Sequence, residues 1–351
     1  MRPLENLFDR DGLERIRKSH RIDPHQMRLF RNDRCKRFCN DTDINTKFPF
    51  SSGVRPPSLE IRERCESQLD GATKLLMQTS TGMLIETVIL RITTGRTTLC
   101  LSSQIGCAAA CDFCATGKMG MAQNLSASEI LDQVLLAGQM LANENRTIQN
   151  IVFMGMGEPF HNEPALFDSL EILTSSDYFA IPPSRILVSS VGVADGMIRC
   201  AERFPNIKQA ISLHSVRQDV RERLIPLARK FPLATLHSSM KRLNELQDSP
   251  VLVEYLMLAG INDSGEDAAE LAQWLDGIDV HINLIPFNQI DDAPHLMSSP
   301  SATIQRFSKR LKLAGHQVTT RYSLGRDIAG ACGQLVRREN RKHAVSLHDV
   351  R

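Results

Sequence analysis

From residue 76 onward, short apolar runs rich in β-branched residues alternate with stretches whose apolar positions recur every three to four residues. Runs at 84–92 and 97–102 flank Thr94-Gly95 and read as paired strands joined by a turn. Further runs at 98–102, 150–154, 185–191, 208–213, 251–257 and 280–285 predict strands. Helical periodicity fills the intervals at 126–143, 163–173, 195–203, 217–224 with 233–246, and 264–275. Such strand–helix units in succession predict a parallel sheet with right-handed crossovers. Their number, six rather than eight, predicts an α/β fold built as an open (β/α)6 barrel, in which ligands lie at the carboxyl ends of the strands. A last helix at 301–314 leads to a strand at 317–322 and a glycine-rich segment ending in Cys332.

The first 75 residues are patterned differently. They read as mostly helical, with a loop-like centre at 40–53, where turn formers are dense. A turn at Arg55-Pro-Pro-Ser58 precedes a helical pattern ending near Leu69. The expected organisation is a small N-terminal accessory domain over 1–75, a core domain over 76–337 and a basic tail over 338–351.

At 351 residues and 42% hydrophobic, the chain can bury a large core. No apolar run approaches the ~18 residues of a membrane span. The start, Met1-Arg-Pro-Leu-Glu5, shows no basic-then-apolar leader, so a cytoplasmic protein without membrane contact is expected. Net charge is +2 but unevenly placed. Arg28, Arg31, Arg34, Lys36 and Arg37 form one basic block; Arg337, Arg338, Arg341, Lys342 and His343 form another. Each fits either a phosphate-binding surface or a solvated face.

Nine cysteines in a reducing compartment point to metal or redox chemistry rather than a disulfide framework. Cys35, Cys39, Cys65 and Cys200 read as small buried hydrophobes. Cys107-Ala-Ala-Ala-Cys111-Asp-Phe-Cys114 is different. Three thiolates this close give a soft metal an incomplete shell, whereas structural zinc asks for a fourth ligand. On a four-iron cubane they would leave one iron open to substrate. The spacing resembles that of radical S-adenosylmethionine (SAM) enzymes, in which the open iron chelates SAM and an electron splits it to a 5′-deoxyadenosyl radical. A zinc knuckle lacking its partner is the competing reading.

The cysteine loop follows the first barrel strand, and Gly106 and Gly117 bracket it, which would let backbone approach a cluster. The next strand runs into Gly155-Met-Gly157-Glu158-Pro159, where a carboxylate beside exposed backbone suits an ammonium group. Ser189-Ser190 and Ser212-Leu213-His214-Ser215 end the following two strands and offer groups for a ribose or carboxylate, although His214 also reads as a hydrogen-bonded structural histidine. Asn288 brings an amide to the same rim, suited to an adenine edge. Two more cysteines stand out: Cys100 at the end of the first barrel strand, and Cys332 between Gly330 and Gly333 in a tight or mobile segment.

Cys100-Leu-Ser-Ser-Gln-Ile-Gly-Cys107, Cys111-Asp-Phe-Cys114-Ala-Thr-Gly, Phe153-Met-Gly-Met-Gly-Glu-Pro159, Ser212-Leu-His214 and Ala331-Cys-Gly-Gln-Leu335 together resemble the RlmN/Cfr family of radical SAM methyltransferases, over about 76–337. These enzymes modify an adenine of large-subunit ribosomal RNA. The resemblance implies that Cys107, Cys111 and Cys114 hold a [4Fe-4S] cluster. It places Gly157, Glu158, Ser189, Ser212, Leu213, His214 and Asn288 at SAM-contacting positions. It makes Cys332 the cysteine that is methylated and then carries the carbon to RNA, Cys100 the partner that releases product through a Cys100–Cys332 disulfide, and Glu86 the proton acceptor.

The implied reaction uses two SAM per turnover and a low-potential electron donor such as flavodoxin. The implied substrate is RNA, most simply 23S rRNA and alternatively tRNA, with the N-terminal domain offering a further RNA contact. Val191 stands where the C2-methylating branch usually has serine, and Arg321-Tyr-Ser-Leu-Gly-Arg-Asp-Ile is closer to the Cfr branch, whereas Pro159 is closer to RlmN. Methylation at C2 and at C8 therefore both stay open. The alternatives are a radical SAM activase or peptide modifier, and a non-catalytic iron–sulfur or zinc RNA-binding protein.

Overall fold

The computed structural model describes residues 4–120 and 122–335; the basic block at 337–343 lies outside the described residues. Three helices open the chain, α1 (Arg10–Ser19), α2 (Pro24–Cys35) and α3 (Asp41–Lys47). Each begins at a residue, Asp9, Asp23 or Asn40, whose side chain accepts a backbone N–H of the first turn. This capping corrects the loop expected at 40–53. Asn40 accepts from the Asp43 N–H at 2.9 Å, and Asp41 and Asp43 complement the positive end of the helix. The turn formers thus start a helix, and a 3₁₀ turn (Pro49–Gly53) follows it. Most cations of the first basic block have partners within the protein: Arg34 is buried against Asp41, Arg37 and Lys47 share Asp33, and Lys36 donates to the Ser176 carbonyl.

The helix expected to end near Leu69 is instead strand β1 (Glu60–Glu66), antiparallel to β2 (Ala72–Gln78). Ile61 and Cys65 are the inward positions of β1, and a spacing of four satisfies a strand period as well as a helical one. Pairing with β2, Arg64 opposite Leu75, decides between them. Strands β3 (Leu84–Arg91) and β4 (Thr97–Cys100) continue the antiparallel part. A small hairpin, β5 (Gln104–Gly106) with β6 (Ala122–Asn124), follows; runs of three residues carry no periodic signal.

The remaining elements alternate: α4 (Ala127–Asn143), β7 (Asn150–Phe153), α5 (Glu163–Thr174), β8 (Ile186–Ser190), α6 (Ala194–Arg203), β9 (Lys208–Ser212), α7 (Gln218–Leu224), α8 (Leu233–Leu246), β10 (Val251–Met257), α9 (Gly265–Trp274), β11 (Val280–Pro286), α10 (Ser301–Leu313) and β12 (Gln317–Thr320). Capping boxes, Ser126 with Glu129 and Ser264 with Asp267, start α4 and α9. The main sheet has ten strands in the order β1-β2-β3-β4-β7-β8-β9-β10-β11-β12, parallel from β4 onward. The six predicted barrel strands are present, and β12 adds a seventh parallel strand beside β11.

After β12 the chain crosses back to the other end of the sheet. The Gly325 N–H donates to Asp70 at 2.9 Å, and Asp327 accepts from Ser67 and Gln68. These contacts require the sheet to curve until its two ends approach, so that the strap at 321–335 bridges an open barrel. The helices of the first 50 residues share one apolar core with the strands, Leu13 and Phe30 joining Ile151, Ile211 and Val253. Cys35 and Cys200 are buried as expected, and Cys39 and Cys65 are partly exposed. No helix among the described residues is long and apolar enough to cross a membrane.

Candidate active site

Cys107, Cys111 and Cys114 lie in the loop between β5 and β6, beyond the carboxyl end of β4. The loop is held from several sides. The Asp112 N–H donates to the Leu224 carbonyl at 2.9 Å and the Ala115 N–H to that of Gly333 at 2.8 Å. The Asp112 carboxylate binds Lys118, and His295 at 2.7 Å. A Cβ on Gly117 would fall 2.8 Å from the Cys111 nitrogen, so only glycine lets the loop close on itself.

The three thiols share one cavity of about 150 Å³ with Gly157, Glu158, Ser189, Ser212, His214 and Cys332. Burial pushes all three thiols up, Cys107 to about 12, and the Cys114 and Cys107 charges add to the rise at Cys111. Three such groups favour a cationic centre that binds them as thiolates. Among the described residues no three His, Cys, Asp or Glu side chains are drawn together tightly enough for a single metal ion. By its chemistry, a set of three cysteines suits a cluster with one open iron better than a structural zinc, which asks for four ligands.

The glycines after β7 line the cavity and are also required by packing. A Cβ on Gly155 would lie 2.6 Å from the Leu101 carbonyl oxygen, and one on Gly157, at φ +106°, 2.7 Å from Gln104. They let this loop pack on the strand that leads into the cysteine loop. Glu158 is buried beside it and accepts from the backbone N–H groups of Val191 (2.9 Å) and Phe160 (3.1 Å). Burial nevertheless raises its carboxyl to about 7, so a cationic ligand group would favour its ionised form. His214 has a left-handed backbone, φ 59°. Its Nδ1 accepts from the Leu256 N–H at 3.1 Å, and its ring meets Phe113 edge-on at 4.7 Å. Burial and Arg221 push its pKa down to about 3, which keeps the imidazole neutral. Its structural role and its place on the cavity wall are thus compatible.

Leu213, Asn288 and Glu86 are placed elsewhere. Leu213 is buried in the core. Asn288 uses its amide to clamp the strap, donating to Ser323 Oγ at 3.0 Å and to the Cys332 carbonyl at 3.1 Å. Glu86 is fully buried on β3, with Lys74 Nζ 3.1 Å away.

Cys100 lines a second cavity, of about 370 Å³, on the inner face of β3, β4 and β7. Cys332, Arg321 and Met154 line both cavities and form the partition between them. Burial and the neighbouring Cys332 push the Cys100 thiol up to about 12, against the opposing charge of Arg321. Both cysteines are free thiols, so the expected disulfide is absent from this state.

Three charged residues of the site escaped sequence reading. Arg221, fully buried on α7, donates Nη1 to the Ser212 and Leu213 carbonyls and Nη2 to that of Val191, at 2.6–2.8 Å. Its signal was a cation between Val220 and Leu224 on the buried face of a helix. Glu254, a carboxylate within the buried strand β10, accepts from Asn283 at 3.1 Å. Arg321 lies at the junction of the two cavities.

No family model matches the chain. It is 53% identical over 339 residues to a probable RNA methyltransferase of Rhodopirellula baltica, covering 97% of this chain and 89% of that one. It is 39% identical over 269 residues to the dual-specificity RNA methyltransferase RlmN of Ruthia magnifica, covering 76% and 75%. A solved radical SAM methyltransferase from Sphaerobacter thermophilus superposes with a TM-score of 0.88 at 35% identity, covering 95% of this chain and 99% of that one. A three-thiol loop at the mouth of a parallel barrel, and similarity of this extent in sequence and fold, lead to one conclusion: the chain belongs to the RlmN-type radical SAM RNA methyltransferases.

Proposed function

We propose that the protein methylates an adenine of RNA at C2 or C8, most simply in 23S rRNA and alternatively in tRNA, through S-methylated Cys332 and a transient protein–RNA crosslink. The observation that carries this reading is the position of Cys332, on the partition between the cavity of the three cluster cysteines and the cavity of Cys100. The chemical need is clear. C2 and C8 of adenine are electrophilic amidine carbons, so the electrophilic methyl of SAM cannot react there directly.

Cys107, Cys111 and Cys114 would hold a [4Fe-4S] cluster, with Gly157, Glu158, Ser189, Ser212 and His214 around SAM. Loaded with both, and with an electron from a donor such as flavodoxin, the site supplies an electrophilic methyl group and, from a second SAM, a hydrogen-abstracting carbon radical. The residues of the chain do the rest. Cys332 takes the methyl as a thioether on the cluster side and presents the activated carbon to the base on the Cys100 side. Addition of the carbon radical leaves an unpaired electron on the base; that electron returns to the one-electron carrier and Glu86 accepts the proton from the adenine carbon, which closes the adduct. Cys100 attacks the Cys332 sulfur, the carbon–sulfur bond breaks toward the base, which is protonated, and a Cys100–Cys332 disulfide remains for an external thiol to reduce. The adenine must be unstacked to enter.

The test is a pair of variants. Cys100→Ala should be purified with covalently bound RNA, seen as a nuclease-sensitive mass increase, and Cys332→Ala added to it should remove that mass. RNA-free Cys100→Ala protein that methylates normally would refute both roles.

A further inference from the structure

Lys74 is 7% exposed, and no motif singles it out. It lies on β2 opposite Val88 and diagonal to Glu86, within reach of a long side chain. Its Nζ is 3.1 Å from Glu86 Oε1 and donates at 3.2 Å to the carbonyl of Ala329. Ala329 sits three residues before Cys332, with a left-handed backbone at φ 48°. Val88, two residues from Glu86 and on the same face of β3, lines the cavity shared by Cys100 and Cys332. An ammonium has three donors and can serve a carboxylate and a carbonyl together.

We propose that Lys74 is a positioning residue that joins two parts of the reaction: it aims the Glu86 carboxylate toward the Cys100 cavity and pins the strap so that Cys332 stays on the partition. The inference rests on the functional reading above, in which Glu86 accepts a proton and Cys332 carries the carbon. Asn288 holds the Cys332 carbonyl itself, and Asp70 and Asp327 hold the strap farther out, at Gly325 and at Ser67 and Gln68; of these anchors Lys74 is the one that also touches Glu86. Methylation of Cys332 takes place in the other cavity and does not involve Glu86. Loss of Lys74 should therefore separate the early step from the late one.

The experiment compares Lys74→Met, Lys74→Arg and Glu86→Gln with the unaltered enzyme, all full-length and reconstituted anaerobically, with SAM and an rRNA fragment. Peptide mass spectrometry follows S-methyl-Cys332, nucleoside analysis follows methyladenosine, and nuclease-sensitive mass follows the adduct. Lys74→Met should keep Cys332 methylation within about twofold, lower product about 10- to 100-fold and accumulate the RNA adduct even with Cys100 present. Amide exchange should rise across 325–332 and stay unchanged in the barrel helices. Lys74→Arg should restore most of the product, and combining Lys74→Met with Glu86→Gln should lower it no further than either alone. Unaltered product in Lys74→Met would overturn the proposal. So would additive losses in the double variant, or a Lys74→Arg protein as impaired as Lys74→Met. If the unaltered enzyme forms no S-methyl-Cys332, the functional reading itself fails and the role of Lys74 falls with it.

Discussion

Replacing Arg221 by Met removes the cation that ties the ends of β8 and β9 together. Three buried carbonyls, those of Val191, Ser212 and Leu213, lose their charged donor at once. The Leu213 carbonyl keeps the Ser215 N–H at 2.8 Å, so two carbonyls are left unpaired, at about 2 kcal/mol each. Against this stands the unfavourable burial of the charge, which lowers the pKa of Arg221 to about 10 and corresponds to about 3 kcal/mol. Met fills the space of the stem without either effect, so the net loss should be about 1 kcal/mol, about 0.3 M in urea midpoint. Urea unfolding of the cluster-free protein at pH 7, followed by circular dichroism, reads this directly. The same carbonyls position Ser212 and the loop after Ser190, so affinity for SAM should fall in the reconstituted variant as well. An unchanged or raised midpoint would show that the carbonyls find other partners, and the reasoning would fail.

Other expectations concern different parts of the molecule. Cys107→Ala, Cys111→Ala and Cys114→Ala should each abolish cluster assembly, because three thiolates are the minimum for the site; a full iron content and thiolate-to-iron absorbance in any of them would reassign the ligands. Asp132 is buried under Ser58, and burial raises its carboxyl from 3.8 to about 6. The folded state therefore holds a proton that the unfolded state has released, so its contribution is complete below pH 3.8 and is lost as pH rises through about 6, by at most about 3 kcal/mol. Asp132→Asn should flatten stability against pH between those values, and an unchanged urea profile would exclude Asp132 as the group responsible.

The parallel strands were readable because a strand buried on both faces, such as Ile186–Ser190 or Val251–Met257, is an almost continuous apolar run, and helical periodicity marks each crossover. Periodicity fails where two periods coincide. Ile61 and Cys65 suit helix and strand equally, and only the distant partner β2 decides. It also fails for Asn40, whose turn-forming character and helix-capping character are one property of one side chain. In the site, the gathering of Cys107, Cys111 and Cys114 at one cavity was legible from their spacing, because residues this close in sequence stay close in space. The clamp of Asn288 on the Cys332 carbonyl and the reach of Lys74 to Ala329 were not, since they link residues brought together only by curvature of the sheet. An amide suited to an adenine edge is equally suited to a backbone carbonyl, and residue type does not distinguish them.

The partition that carries Cys332 has a consequence for chemical inhibition. The cavity on the cluster side is the place that the cluster and SAM would take, whereas the Cys100 side, about 370 Å³, falls at the lower end of the range that small ligands occupy. A modest electrophile that enters from the Cys100 side meets two thiols without displacing SAM. It would block the enzyme non-competitively with the cofactor, against a wall that also carries the Tyr322 and Arg96 side chains.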